Sequence, residues 1–145
     1  MTDAPTFVFH NAPVQAWEAL LALGTPKFML ATDTYVPSQS GHDFANDVTN
    51  EAAGSGYTAG GYVLIGVTVN LDTSTGTITI TCDEITGISV SCRWGLFIVD
   101  TGTAATSPVL SCTDFTAGVG GNVTVTGTTT LSVDGLLEDV VAAAA

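Results

Sequence analysis

The chain has 145 residues, 46% of them hydrophobic and only 11% charged, with 14 acidic side chains against two basic ones, Lys27 and Arg93. That length suits one domain with a core that needs no staples, and the apolar content excludes a wholly disordered chain. A net charge of −12 excludes nucleic-acid binding by displacement of counterions, which needs several cations facing phosphates, and an anionic membrane surface repels it.

Residues 6–9, around Phe-Val-Phe, read as a short strand, and the first ten residues carry an acid and no basic stretch, unlike a secretory signal. A helix follows over 12–23. Asn11 is placed to cap it, Pro13 falls in the first turn where its missing N–H costs nothing, and Gly24 stops it. Val14, Trp17 and Leu21 recur at helical spacing and form its buried stripe. KFMLAT (27–32) reads as a strand, and a long polar stretch then runs from Asp33 to Gly61. Stretches of that length inside a compact domain are usually functional.

From Tyr62 the pattern changes to period two. YVLIGVTVNL is a strand, DTSTG a turn and TITITC its hairpin partner. ISVSCRW and GLFIVD form one long strand bent at Gly95; TGTAATSP is a loop; VLSCTDF and NVTVTGTTTLSV complete the set, with a bulge at Gly127. Many short strands with glycine-rich turns give a mainly β chain, an antiparallel sandwich or barrel-like fold with one N-terminal helix. Residues 1–137 make the single domain, and EDVVAAAA (138–145) is a flexible tail or an arm lying on a neighbour. No apolar run is long enough to cross a membrane as a helix.

The candidates for chemistry are few. Cys82, Cys92 and Cys112 are odd in number and widely spaced, which fits buried thiols better than a disulfide framework or a zinc site, although Cys92 and Cys112 could face each other across neighbouring strands. The stretch GSGYTAGG (54–61) lacks the lysine and the following helix of a phosphate loop, and it lacks the spacing of a dinucleotide fingerprint. Flexible linkers do not embed aromatics such as Tyr57 and Tyr62. The stretch therefore reads as a tight turn. Gly60 and Gly61 supply positive φ, and Tyr57 lays its ring on the turn with its hydroxyl at the surface, making a shaped contact edge.

His42, Asp43, Asp47 and Glu51 are the polar residues with ligand character, but neither the calcium-loop order nor the H-E-x-x-H zinc pattern is present. Turn chemistry has Asp43 and Asp47 capping turns; a structural cation is the alternative. Asp83 and Glu84 fall at a strand end and face solvent. Arg93 either stacks on Trp94 or bridges to an acid, the second being favoured by the surplus of carboxylates. No set of side chains has the makings of a catalytic site, so the chain reads as a non-enzyme without a cofactor.

Tyr35, Pro37, the run His42-Asp43-Phe44, Asp47-Val48, Glu51 and then GSGYTAGG at 54–61 resemble a family of small virion proteins of tailed bacteriophages, of the minor capsid or head-decoration type. In that family a helix and a K-x-x-L strand precede the same pattern, as the helix and Lys27–Leu30 do here. The run Arg93 to Gly102 is similar to a later strand and turn of the family. The likeness spans residues 12–102 and departs at 83–92, where the family tends to carry a tryptophan and this chain has DEITGISVSC. The resemblance implies a structural protein on the capsid exterior, bound to the major capsid protein as a homo-oligomer. An alternative place is the tail or baseplate. The expected partner contacts are Tyr35, His42, Asp43, Phe44, Asp47, Glu51, Tyr57, Gly60 and Gly61, within loop 35–61, together with the tail 136–145.

Overall fold

The computed structural model describes residues 9–125 and a strand at Leu137–Val140. Residues 6–8 of the expected strand at 6–9, the bulge at Gly127 and residues 141–145 lie outside the described residues, and Phe9 is not in a strand.

The first element is helix α1 (Asn11–Leu21). Asn11 is its first residue and not its cap: His10 holds the cap position with helical backbone angles and no side-chain bond, and the entry is closed by Ala12 N–H donating to Phe9 O at 3.0 Å. The expected stripe is present. Val14 is buried against Ile78, while Trp17 and Leu21 pack on the main core. The helix ends before Gly24, whose role is a close approach. A Cβ there would sit 2.1 Å from the carbonyl oxygen of Asp100, so only glycine lets the chain turn under that strand end.

Strands β1 (Thr25–Ala31) and β7 (Trp94–Asp100) run antiparallel along their whole length, with Phe28 opposite Phe97 and Met29 opposite Leu96. Strand β3 (Tyr62–Val63) pairs outside β1 and β8 (Val109–Asp114) outside β7, giving a four-stranded sheet ordered β3-β1-β7-β8. Both central strands read as apolar runs because both faces of this sheet are covered. Phe28, Leu30 and Phe97 point to one side. There they meet Ile80 of β5 (Thr77–Thr81), Val90 and Cys92 of β6 (Ser89–Cys92) and Val125 of β9 (Val123–Val125). Met29, Ala31, Leu96 and Ile98 point to the other side and carry Tyr35 and Ala45 of the long loop.

The opposing layer consists of two three-stranded sheets. One has the order β10-β5-β4, with β4 at Thr68–Asp72 and β10 at Leu137–Val140; the other has the order β2-β6-β9, with β2 at Gly54–Ser55. Every strand pairing in these sheets is antiparallel, so the chain is mainly β with layered antiparallel sheets and one helix near the N-terminus, and the described residues form no closed barrel. Alternation holds where one face is wet: Ile78 and Ile80 of β5 are fully buried between half-exposed threonines.

Three boundaries differ from the sequence reading, each for a local reason. YVLIGVTVNL is two strands, because Gly66 at φ +66° turns the chain out of the four-stranded sheet toward β5. ISVSCRW and GLFIVD are also two strands, parted at Arg93 and not bent at Gly95. Arg93 bonds through its N–H to Ala31 O and through its carbonyl to Phe115 N–H, and Gly95 lies inside β7, where a Cβ would come within 2.4 Å of the Phe28 ring and 2.6 Å of the Phe115 ring. Finally, Glu138, Asp139 and Val140 pair with β5, so these residues belong to a sheet and not to a tail starting at 138.

All three cysteines are free. Cys92 is sealed in the core, whereas Cys112 is exposed and lies opposite Leu96 on the other face of the four-stranded sheet. The two thiols therefore do not face each other, and the expectation of uniformly buried thiols fails at Cys112.

Candidate functional site

The long loop after β1 is a covering layer fastened at three places by its own polar side chains. The first fastening is Tyr35 with His42. Tyr35 is only 2% exposed, seated on the outer face of the sheet. Its hydroxyl lies 2.8 Å from His42 Nδ1, which also receives the Ser38 N–H at 3.3 Å. A backbone N–H can only donate, so Nδ1 is the acceptor and the Tyr35 hydroxyl donates to it. Burial first, and then nearby Cys112 and Asp47, raise the Tyr35 pKa above its ordinary value.

Asp47 makes the second fastening. It closes a single turn of 3-10 helix (Ala45–Asp47), and its Oδ2 accepts the N–H groups of Asp43 at 2.9 Å and Phe44 at 3.1 Å. Those two bonds hold its carboxyl below the usual aspartate range. Of the two expected capping aspartates only Asp47 caps; the Asp43 side chain is exposed and makes no hydrogen bond or ion pair among the described residues. The backbone here is also tied to the neighbouring loop. Val109 N–H donates to Asp43 O at 3.1 Å, Ala45 N–H to Ser107 O at 2.8 Å, and Phe44 forms a bridge with Pro108.

The third fastening organises the glycine bend. Glu51 bridges to Ala31 at the end of β1. Its Oε1 accepts the Tyr57 hydroxyl and the Gly60 N–H, each at 2.6 Å, and the Tyr57 hydroxyl in turn accepts the Leu30 N–H at 3.0 Å. The hydroxyl thus faces inward, opposite to the expected surface position. It satisfies a strand N–H that has no ladder partner where β3 has already ended. Desolvation, then the bond to Glu51, push the Tyr57 pKa well above its ordinary range. Gly60 and Gly61 have φ of +97° and +124°, as expected. At Gly61 a Cβ would stand 3.0 Å from Lys27 Cβ, so this bend lies directly on β1.

Of the nine expected contact residues, Asp43 and Phe44 are exposed, while His42, Asp47, Glu51, Tyr57 and Gly60 are half-buried fasteners. Tyr35 and Gly61 are buried and have no surface to offer, which corrects their assignment as contacts: both are used up in packing against the sheet. The nine form no single cluster. They act in the pairs Tyr35–His42, Asp47 with 43–44, and Glu51 with 57–60.

Sequence reasoning missed the concavity beside the first fastening. A cleft of about 390 Å³ lies between Tyr35, Pro37 and His42 on one side and Trp94, Leu96 and Cys112 on the other. The visible signal was the alternation along β7, which sends Trp94 and Leu96 to the loop-covered face. Trp94 Nε1 is buried there without a hydrogen-bond partner among the described residues. Both alternatives weighed for Arg93 hold together. Its guanidinium carbon lies 4.5 Å from the centroid of the Trp94 ring, and its Nε and Nη2 reach the two Asp114 oxygens at 3.3 and 3.0 Å. That fork holds the Asp114 carboxyl well below the usual range. Lys27 is likewise paired, with Asp100 at 2.6 Å. Both basic side chains of the chain are therefore engaged internally.

Among the described residues no three His, Cys, Asp or Glu side chains are grouped to hold a metal ion, and no helix is long and apolar enough to cross a membrane. Comparison of the chain with protein-family models, with curated proteins and with solved structures returns no match.

Proposed function

We propose that the chain is a structural, non-catalytic protein of a tailed-bacteriophage virion, a capsid decoration or minor capsid protein that binds the outside of the major capsid protein lattice as a homo-oligomer and stabilises the shell. One observation carries the reading. The residues that resemble the virion family are the same ones that fasten the covering loop: Tyr35 to His42, Asp47 to 43–44, and Glu51 to Tyr57 and Gly60. A spacing that looks arbitrary in sequence is what those bonds require. Polar side chains used this way make a rigid surface that loses little entropy on docking, which is what a lattice-binding protein needs.

The rest of the chemistry agrees. His42 Nδ1 is occupied by Tyr35 and Ser38, and the two cations are tied to aspartates, which leaves no positive surface for phosphates. Many copies bound to a folded shell raise its stability by mass action. Purified protein mixed with matured, DNA-free shells of the phage that encodes it will co-sediment with them at micromolar concentration and raise their melting temperature. Folded protein that stays in the supernatant contradicts the proposal.

A further inference from the structure

The loop presents two large apolar side chains to solvent, Val36 and Phe44, and of these Phe44 is the aromatic one and sits at a fastened point. Phe44 is 40% exposed, yet its backbone is pinned on every side. Its N–H donates to Asp47 Oδ2 at 3.1 Å, its carbonyl accepts the Asp47 N–H at 2.9 Å, and it bridges to Pro108. The residues on either side are held as well, Asp43 by Val109 and Asp47, Ala45 by Ser107. An aromatic ring whose backbone is fixed before binding, with only two rotatable side-chain bonds, is the kind of group that carries most of the energy at a protein interface.

Two acidic residues lie beside Phe44 in the loop. The exposed Asp43 carboxylate has no partner among the described residues, and the Asp47 carboxylate lies against the Phe44 backbone with its charge held on by two N–H bonds. Neither Lys27 nor Arg93 pairs with these carboxylates, because they are committed to Asp100 and Asp114 within a chain of net charge −12. A second copy of the chain would bring the same negative charge and no spare cation.

We infer that Phe44 and Asp43 form the anchor of the docking surface, and that the partner is a protein face with an apolar socket for the ring edged by arginine or lysine. Arginine suits the rim best, since its planar cation both pairs with carboxylates and stacks on aromatic faces. This inference rests on the lattice-binding reading and names the chemistry of its partner.

The test is the same co-sedimentation with shells, run as a binding curve for wild type, Phe44→Ala and Asp43→Asn over a salt series, with thermal melts to show that each variant is folded. Phe44→Ala is expected to weaken binding at least ~10-fold. Asp43→Asn is expected to weaken it about 2- to 5-fold at low salt and to flatten the salt dependence. Phe44→Leu, which keeps apolar bulk but lacks the π face, falls between wild type and Phe44→Ala. Wild-type binding that is unchanged in folded Phe44→Ala and insensitive to salt overturns this inference and leaves the lattice-binding reading standing. Failure of wild type to bind at low salt overturns both.

Discussion

At Tyr57 a single oxygen joins three segments, accepting the Leu30 N–H and donating to the Glu51 carboxylate that also takes the Gly60 N–H. Removing it in Tyr57→Phe leaves the N–H of buried Leu30 without its acceptor, and this should cost about 1–3 kcal/mol, read as a lower urea midpoint with an unchanged slope. Acid will expose a different residue. The Asp114 pKa is lowered chiefly by Arg93 and then by Thr116, so its contribution to stability is complete above the ordinary aspartate pKa of about 3.9 and is lost as pH falls through the lower folded-state value. Asp100 is lowered in the same direction, by Lys27 first. Stability measured from pH 6 down to pH 2 should therefore fall on the acid side, and Asp114→Asn should be less stable at pH 6 yet lose less on acidification. The sequence offered Glu51 and Tyr57 as notable but not as bonded to each other, because a six-residue separation in a loop fits no regular period. It offered Gly60 and Gly61 correctly, since only their backbone freedom was at issue.

Element boundaries show what periodicity can and cannot carry. The hairpin of β4 and β5 was legible because alternation and turn residues agreed: Asp72 Oδ1 accepts the Ser74 N–H at 2.9 Å, and Gly76 takes φ +72°. The helix was legible from Val14, Trp17 and Leu21. The breaks at Gly66 and Arg93 were not, since a strand that changes sheets keeps its alternation on both sides of the crossing. Gly95 misled for a related reason: glycine in a strand signals either a bend or a close approach, and the ring edges of Phe28 and Phe115, 6.1 Å apart between centroids, decide for the second. Gly95→Ala should therefore destabilise by overpacking, about 1–3 kcal/mol, measured by thermal or urea unfolding. Gly87→Ala is the contrast. No atom of the described residues would lie within 4 Å of its Cβ, so the objection there comes from the backbone at φ +74°.

For the whole molecule, charge and fold act on different properties. Layered antiparallel sheets buried on Phe28, Phe97 and the isoleucines make the body; the first part of the fastened loop, with Tyr35, Ala45 and Val48, forms an outer layer on one face, and its later part, with Ala52 and Tyr57, packs on the main core. With 14 acidic and two basic residues the free chain repels itself, so added salt should raise its melting temperature while it weakens attachment to a cationic partner; the two trends separate folding from docking in one salt series. The most direct measurement of where the chain sits is an image reconstruction of the native particle in which the chain's density can be traced. The β body is expected on the outer surface of the shell, with loop 36–61 toward the major capsid protein and Phe44 in contact with it. Density for the chain that is absent from the shell exterior, or whose loop 36–61 faces open solvent, would contradict this placement.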